Sequence, residues 1–345
     1  MNKLKAAVTI IISLMLSQCQ NEKITASLDT DDTFYVENDG AAMRVSVKGN
    51  TQSGKIMLIV HGGPGGSAFL YHTEKMQILL EPHNAVAYWD QRIASASQGT
   101  VNKETVTLPQ FGDDLKSVIQ VLKYRYGTAT KIYLMSHSWG GMVATQFLTS
   151  GTNQELVSGW IFANAVHDWP RNDQNTIDMI IARGEQEIEL GRNVAKWQEM
   201  IRYVQSLVFP LTVVQSKKLN DYAWEAMDLI EGFAPLNEDD IINENLISDR
   251  IPYTSLLCNL LNPVQRQLLR EVNEKSFSDL LVNITVPLLV CSGRHDFVCP
   301  TATGLDLLTR IGSADKQSIT FNNSGHNLEE QSAYINAFIE FIACH

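Results

Sequence analysis

From residue 33 onward the chain alternates short apolar runs with longer stretches of helical period. Lys55–Val60 (KIMLIV), Ala85–Trp89 (AVAYW), Lys131–Met135 (KIYLM) and Gly159–Ala163 (GWIFA) are nearly unbroken. Pro287–Cys291 (PLLVC) and Ser318–Phe321 complete the set. Runs this short, apolar at both odd and even positions, suit strands covered on both faces, as in a parallel sheet. Two earlier strands, Thr33–Glu37 and Ala42–Lys48, flank Asn38-Asp39-Gly40, a hairpin signal. Helical patterns fall between the later runs, at Leu108–Tyr126, Gly140–Thr149, Thr303–Ile311 and Leu328–Ala343. In the first of these, Phe111, Leu115, Val118 and Leu122 follow one stripe. The alternation predicts an α/β fold with a mostly parallel central sheet and right-handed crossovers.

The alternation stops between Val166 and Leu280, where helix-like stretches dominate: Thr176–Glu189, Val194–Val208 and Leu219–Ile230. Only Gly184, Gly191 and Gly232 of the chain's 21 glycines lie there. Strand-like runs resume at Pro287, so the pattern predicts a helical cap, residues 166–280, inserted into one core of residues 31–165 and 281–345.

The N-terminus stands apart. Lys3 and Lys5 precede an apolar run, Ala6–Leu16, too short to span a hydrocarbon core as a helix. This is the form of a secretory signal, residues 1–18, followed by a polar tether, 19–30. Leu16-Ser17-Gln18-Cys19 resembles a bacterial lipoprotein box, which makes Cys19 a candidate for lipidation and the chain an expected cell-envelope protein; an ordinary cleaved signal is the alternative, leaving it periplasmic or secreted. Cleavage before Cys19 removes two lysines and no acid, taking the net charge from −11 to −13. An acidic chain of this kind is not expected to bind nucleic acid, because neutralising phosphates needs an excess of Lys and Arg. Cys258, Cys291, Cys299 and Cys344 show no metal-ligand spacing; one disulfide or buried free thiols both fit.

Composition permits many enzymes; the turns narrow the choice. Ser136-His137-Ser138-Trp139-Gly140-Gly141 follows the KIYLM strand and precedes a helix, the setting of a nucleophile elbow. Ser138 is the candidate nucleophile. A serine hydroxyl needs a base, and in this type of site the order along the chain is Ser, then Asp or Glu, then His. His326, in Ser324-Gly325-His326 beyond a late strand, is the candidate base. His345 is terminal, and His167 precedes the insertion. Asp296, in the turn after PLLVC, is the candidate acid that orients the imidazole. His61-Gly62-Gly63-Pro64-Gly65-Gly66, after KIMLIV, presents backbone N–H groups. Those of Gly63 and Trp139 are the candidate oxyanion hole, and the Gly63–Pro64 peptide is expected to be cis. The loop lacks both nucleotide-binding glycine patterns. No metal and no cofactor are expected.

These residues resemble the α/β-hydrolase fold and, within it, the proline iminopeptidase family of serine aminopeptidases. The resemblance rests on His61–Gly66, Trp89-Asp90-Gln91-Arg92, Ser138-Trp139-Gly140-Gly141, Gly293-Arg294-His295-Asp296 with Cys299-Pro300, and Gly325-His326. It implies release of N-terminal residues from small peptides through an acyl-enzyme. It also implies cap glutamates that bind the free amino end, and Trp224-Glu225 matches the motif that supplies one, so Glu225 is the implied residue. The sequence departs from the family after Asp-Gln-Arg, where Gly-x-Gly-x-Ser is replaced by Ile93-Ala94-Ser95-Ala96-Ser97, and a different loop conformation is expected there. A carboxyl-ester or C–C bond hydrolase on the same triad remains the competing reading, with a non-catalytic binding protein a distant third.

Overall fold

The computed structural model describes residues 29–234 and 265–345. The signal, Cys19, most of the tether and Cys258 lie outside the described residues.

The sheet is built from β1 (Asp29–Asn38), β2 (Ala41–Asn50), β3 (Lys55–Val60), β4 (Ala85–Trp89), a two-residue β5 (Gln98–Gly99), β6 (Lys131–Ser138), β7 (Gly159–Ala165), β8 (Leu288–Gly293) and β9 (Lys316–Phe321). Its spatial order is β1-β2-β4-β3-β6-β7-β8-β9, with β5 beside β2. β1 and β2 form the expected hairpin, turning at Asp39 and Gly40, both at positive φ. The pairs from β4 to β9 are all parallel.

Each parallel strand feeds two cores by its period of two. Ile56, Leu58 and Val60 of β3 belong to one cluster; Met57 and Ile59 belong to the other. β6 splits in the same way, Ile132 and Leu134 against Tyr133 and Met135. The first face is covered by α1 (Leu108–Tyr126), which buries the predicted stripe Phe111, Leu115, Val118 and Leu122, and by α2 (Gly140–Leu148). The second face is covered by the C-terminal helix, Gln331–Cys344, and by a short π-helical turn, Met76–Leu80, that no periodic signal announces.

Between β7 and β8 come the cap helices α3 (Trp169–Glu189), α4 (Val194–Gln205) and α5 (Val213–Asp228). They share a third cluster that includes Ile180, Trp197, Met200, Leu219 and Ala223, closed from the core side by Phe297. α3 starts seven residues before its apolar period does, because the Asp168 side chain caps it and Pro170 fits its first turn. α5 also starts early, at a reciprocal capping box between Thr212 and Gln215. The next described helix, α6 (Gln265–Val272), turns back: Leu268 and Val272, with Phe277, pack into the first core cluster. The chain returns through β8, α7 (Thr301–Arg310), β9 and α8 (Gln331–Cys344). The cap entrance is tied down where Asp168 accepts hydrogen bonds from Ser276 and Ser278, and where buried His167 meets Asp306 at 3.1 Å.

Strand order reverses at β3: the chain goes from β3 to β4 on one side, then to β6 on the other. Loops leaving the carboxyl ends of β3 and β6 therefore diverge, and a crevice opens between them. The glycine loop and Ser138 sit at that crevice.

Candidate active site

Ser138 ends β6 with φ of 53°, a left-handed value that a non-glycine residue adopts at a cost. Such a turn lifts the side chain out of the sheet and starts α2 within two residues. The flanking glycines are required by contact. A Cβ on Gly140 would lie 1.9 Å from the Val60 carbonyl oxygen. Across the crevice, a Cβ on Gly62 would lie 3.0 Å from the Ser138 Cβ and 3.5 Å from its Oγ, so the loop approaches as bare backbone. The Gly63–Pro64 peptide is cis, as expected.

Asp296 is fully buried in the turn after β8. One carboxylate oxygen accepts the amides of Val298 (2.9 Å) and Cys299 (2.8 Å). The other lies 3.0 Å from His326 Nδ1. A carboxylate only accepts, so Nδ1 carries the hydrogen and Nε2 is left free to accept a proton. The Cys299 thiol is held well above its ordinary range by burial and then by Asp296, against a lowering by Ser138. Asp296, Cys299 and His326 form the one group of potential metal ligands found among the described residues. Both carboxylate oxygens there are already engaged by N–H donors, an arrangement that orients a base.

Two motifs find their roles only in three dimensions. His61 Nε2 accepts the Gln91 amide (3.1 Å), so its Nδ1–H donates to the Gly62 carbonyl (2.7 Å). Gln91 in turn donates its side-chain amide to the His61 carbonyl (2.9 Å) and accepts from the Trp139 indole (2.9 Å). Gln91 thus clamps the glycine loop to the residue after Ser138, the two sides of the candidate oxyanion hole. Asp90 accepts from the amides of Ala68 (3.0 Å) and Ala96 (3.3 Å), and Arg92 is buried against Asp114 (2.7 Å).

His137 is the second. Its Nε2 faces the His326 carbonyl at 2.7 Å and must donate; its Nδ1 then accepts from the Tyr71 hydroxyl at 2.6 Å. The Tyr71 oxygen accepts the Gly62 amide at 3.2 Å. Burial, then the neighbouring His326, pushes the His137 pKa down to about 3, which keeps the ring neutral. Loop, elbow and base are joined by one chain of hydrogen bonds.

The departure after Asp-Gln-Arg leaves the backbone in glycine-like conformations. Ile93 (φ 52°) and Ser95 (φ 41°) are left-handed at the two positions where the family pattern has glycine. Ser97 is kept for a reason: its hydroxyl donates to the Asp90 carbonyl (2.7 Å) and accepts the Arg44 amide (3.2 Å).

The cavity over Ser138 has two lobes that share Gly63, Pro64, Ser138, Asn220 and Val298. One, of about 430 Å³, runs between the π-helical turn and α8 and is lined by apolar and uncharged polar side chains. The other, of about 380 Å³, runs under the cap past Asn172, Asp173, Thr176, Ser216 and Asn273. Trp224 of α5 stands edge-on to the His326 ring, centroids 5.2 Å apart, and closes the site from above.

Glu225 is not part of this cavity. It pairs with Lys196 Nζ at 2.8 Å, its side chain 39% exposed. The assignment of Glu225 as the amine-binding carboxylate is corrected on that ground: on α5 its neighbour Trp224 faces the site, and successive helix positions point about 100° apart. Among the described residues, the carboxylate that lines the cavity is Asp173 of α3, only 7% exposed, with one hydrogen bond, from Ser216 (3.2 Å). Burial raises its pKa to about 7, against a smaller lowering by Ser216. The sequence offered one clue, an acid one turn beyond the Asp168 cap, but nothing to say which way it faces. Cys291, Cys299 and Cys344 are free thiols, the first two buried.

The family model described as serine aminopeptidase, S33, matches residues 51–331. A relative, the probable aminopeptidase YbaC of Bacillus subtilis (strain 168), is 23% identical over 293 residues, covering 81% of this chain and 86% of its own. Among solved structures, a proline iminopeptidase from Mycobacterium smegmatis aligns over 92% of this chain and 98% of its own, with TM-score 0.63 and 15% identity. An esterase from Exiguobacterium antarcticum aligns over 90% and 99%, with TM-score 0.57 and 20% identity. At these identities the two structures establish the fold, that of the α/β hydrolases.

Proposed function

The chain belongs to the serine aminopeptidase family, and from that premise we propose that it is an exopeptidase of proline iminopeptidase type, releasing N-terminal residues from small peptides or amides. The observation that carries this reading is Asp173, a buried cap carboxylate in a lobe that opens onto Ser138. A substrate ammonium there gains a charge-assisted partner in a site of low polarisability, which an ester without an amine cannot use.

The Asp296–His326 pair beside Ser138 supports the following chemistry. Ser138 Oγ attacks the carbonyl carbon while His326 Nε2 takes its proton. The Asp296 carboxylate holds Nδ1–H and stabilises the imidazolium. The oxygen of the tetrahedral intermediate is met by the amides of Gly63 and Trp139, held together by Gln91. The imidazolium returns the proton to the departing amine, leaving an acyl-enzyme. Water then attacks the acyl carbon, deprotonated by the same nitrogen; the bond to Ser138 Oγ breaks, the imidazolium returns the proton to that oxygen, and the acid is released. Trp224 limits the access of bulk water to the imidazole.

The test compares prolyl and alanyl arylamides with a free amine against their N-acetylated forms, and against short acyl esters. A preference for the free amine on the order of 10–100-fold is expected, the size of a hydrogen bond to a charged group. KM for the cationic substrates should fall as pH rises through about 7, where Asp173 ionises. Equal rates on free and acetylated substrates would return the protein to the esterase reading. The basic start, apolar run and Cys19 support an exported, lipid-anchored form.

A further inference from the structure

The two lobes differ in chemistry, and Ser138 lies where they meet. The two substituents of a carbonyl bound at Ser138, its oxygen toward Gly63 and Trp139, leave the carbon in different directions. If one carries the ammonium toward Asp173, as the aminopeptidase reading requires, the other is directed into the second lobe. Leu70, Met76, Met135, Leu328, Ile335 and Phe338 line that lobe beside uncharged polar residues such as Thr73, Asn327 and Gln331, and no Lys, Arg, Asp or Glu lines it among the described residues. Of its polar groups, Tyr71 and His137 bond to each other.

We propose that this lobe is the leaving-group pocket, and that the substrate is an aminoacyl amide whose departing amine carries a large, uncharged, apolar body. A free dipeptide fits poorly, because its terminal carboxylate would enter a lobe with no cation to pair it. An apolar body there gains on burial about fourfold per methylene, equivalent to about 0.8 kcal/mol. The preference therefore resides on the departing side of the bond and is separate from recognition of the amine.

The experiment uses the full chain and alanyl n-alkylamides from propyl to heptyl, whose leaving amines have matched basicity, together with Ala-Phe and its C-terminal amide. The expected result is a kcat/KM that rises severalfold per methylene until the lobe fills, and at least 100-fold better cleavage of the neutral amide than of the free dipeptide. Leu70→Trp, at the half-buried rim, should lower the heptyl-to-propyl ratio at least tenfold. A flat chain-length series, or a free dipeptide cleaved as well as its amide, would overturn the pocket while leaving the requirement for a free amine intact. Equal cleavage of N-acetylated alkylamides would instead overturn the aminopeptidase reading itself.

Discussion

The catalytic edge of the sheet and the cap above it are held by different means. At the edge, polar groups are secured several times over. Asp296 accepts two amides and an imidazole, Gln91 bridges His61 and Trp139, and His137 joins Tyr71 to the His326 backbone. Under the cap, Asp173 is as hidden from solvent as many core residues, yet it receives one hydroxyl hydrogen bond among the described residues. The edge fixes atoms in place; the cap keeps a carboxylate under-compensated. On the proposed reading, the contrast assigns bond chemistry to the densely bonded edge and selectivity to a cap group that is buried at a cost in stability.

The largest test of that division is at the edge. Ser138→Ala or His326→Ala should lower kcat by on the order of 10⁴–10⁶ with the fold intact by circular dichroism. Survival of most of the activity would remove the triad from the mechanism.

Asp173→Asn tests the cap. Because the folded carboxyl titrates near 7 against 3.8 when unfolded, the folded state binds more protons between those values. Stability from this group is full below about pH 4 and is lost as pH rises through about 7. The asparagine variant should therefore be more stable than the parent at pH 8, by ~2–4 kcal/mol in denaturant titrations, and no more stable at pH 4. It should also lose the free-amine preference. A variant equally destabilised at both pH values would mean that Asp173 is a structural partner of Ser216 and no more.

A smaller effect probes the chain of hydrogen bonds at the edge. His137→Leu breaks both of its links and should cost kcat about 10–100-fold with KM little changed. His137→Gln, which can donate to the His326 carbonyl and accept from Tyr71, should recover most of it. Equal loss in both would show that ring packing matters and the bonds do not. At the bottom of the scale, Glu225→Gln should alter kcat/KM less than twofold, since it breaks only a surface pair. A large effect would bring α5 back into amine recognition.

Much of this site was legible in the chain. Strand, tight turn and helix leave a local signature, and Ser138, Asp296, His326 and the glycine loop each follow an apolar strand run. β-strand positions were readable because both faces are buried, and the α1 stripe because its period is unbroken. The early starts of α3 and α5 were missed because capping by Asp168 and Thr212 outranked the apolar period. The conformation of the loop at Ile93–Ser97 was not legible from residue type: tertiary bonds to Asp90 hold it in place, with left-handed values at Ile93 and Ser95.

What the sequence determined by itself, then, is the fold and the candidate reacting groups, since both are written in short-range patterns of strand, tight turn and helix. What only the tertiary structure decided is which of the described cap acids lines the cavity over Ser138. Helices α3 and α5 carry acids on several faces, and no local rule distinguishes Asp173 from Glu225. Packing against the core turned one inward beside Ser216 and left the other on the surface beside Lys196.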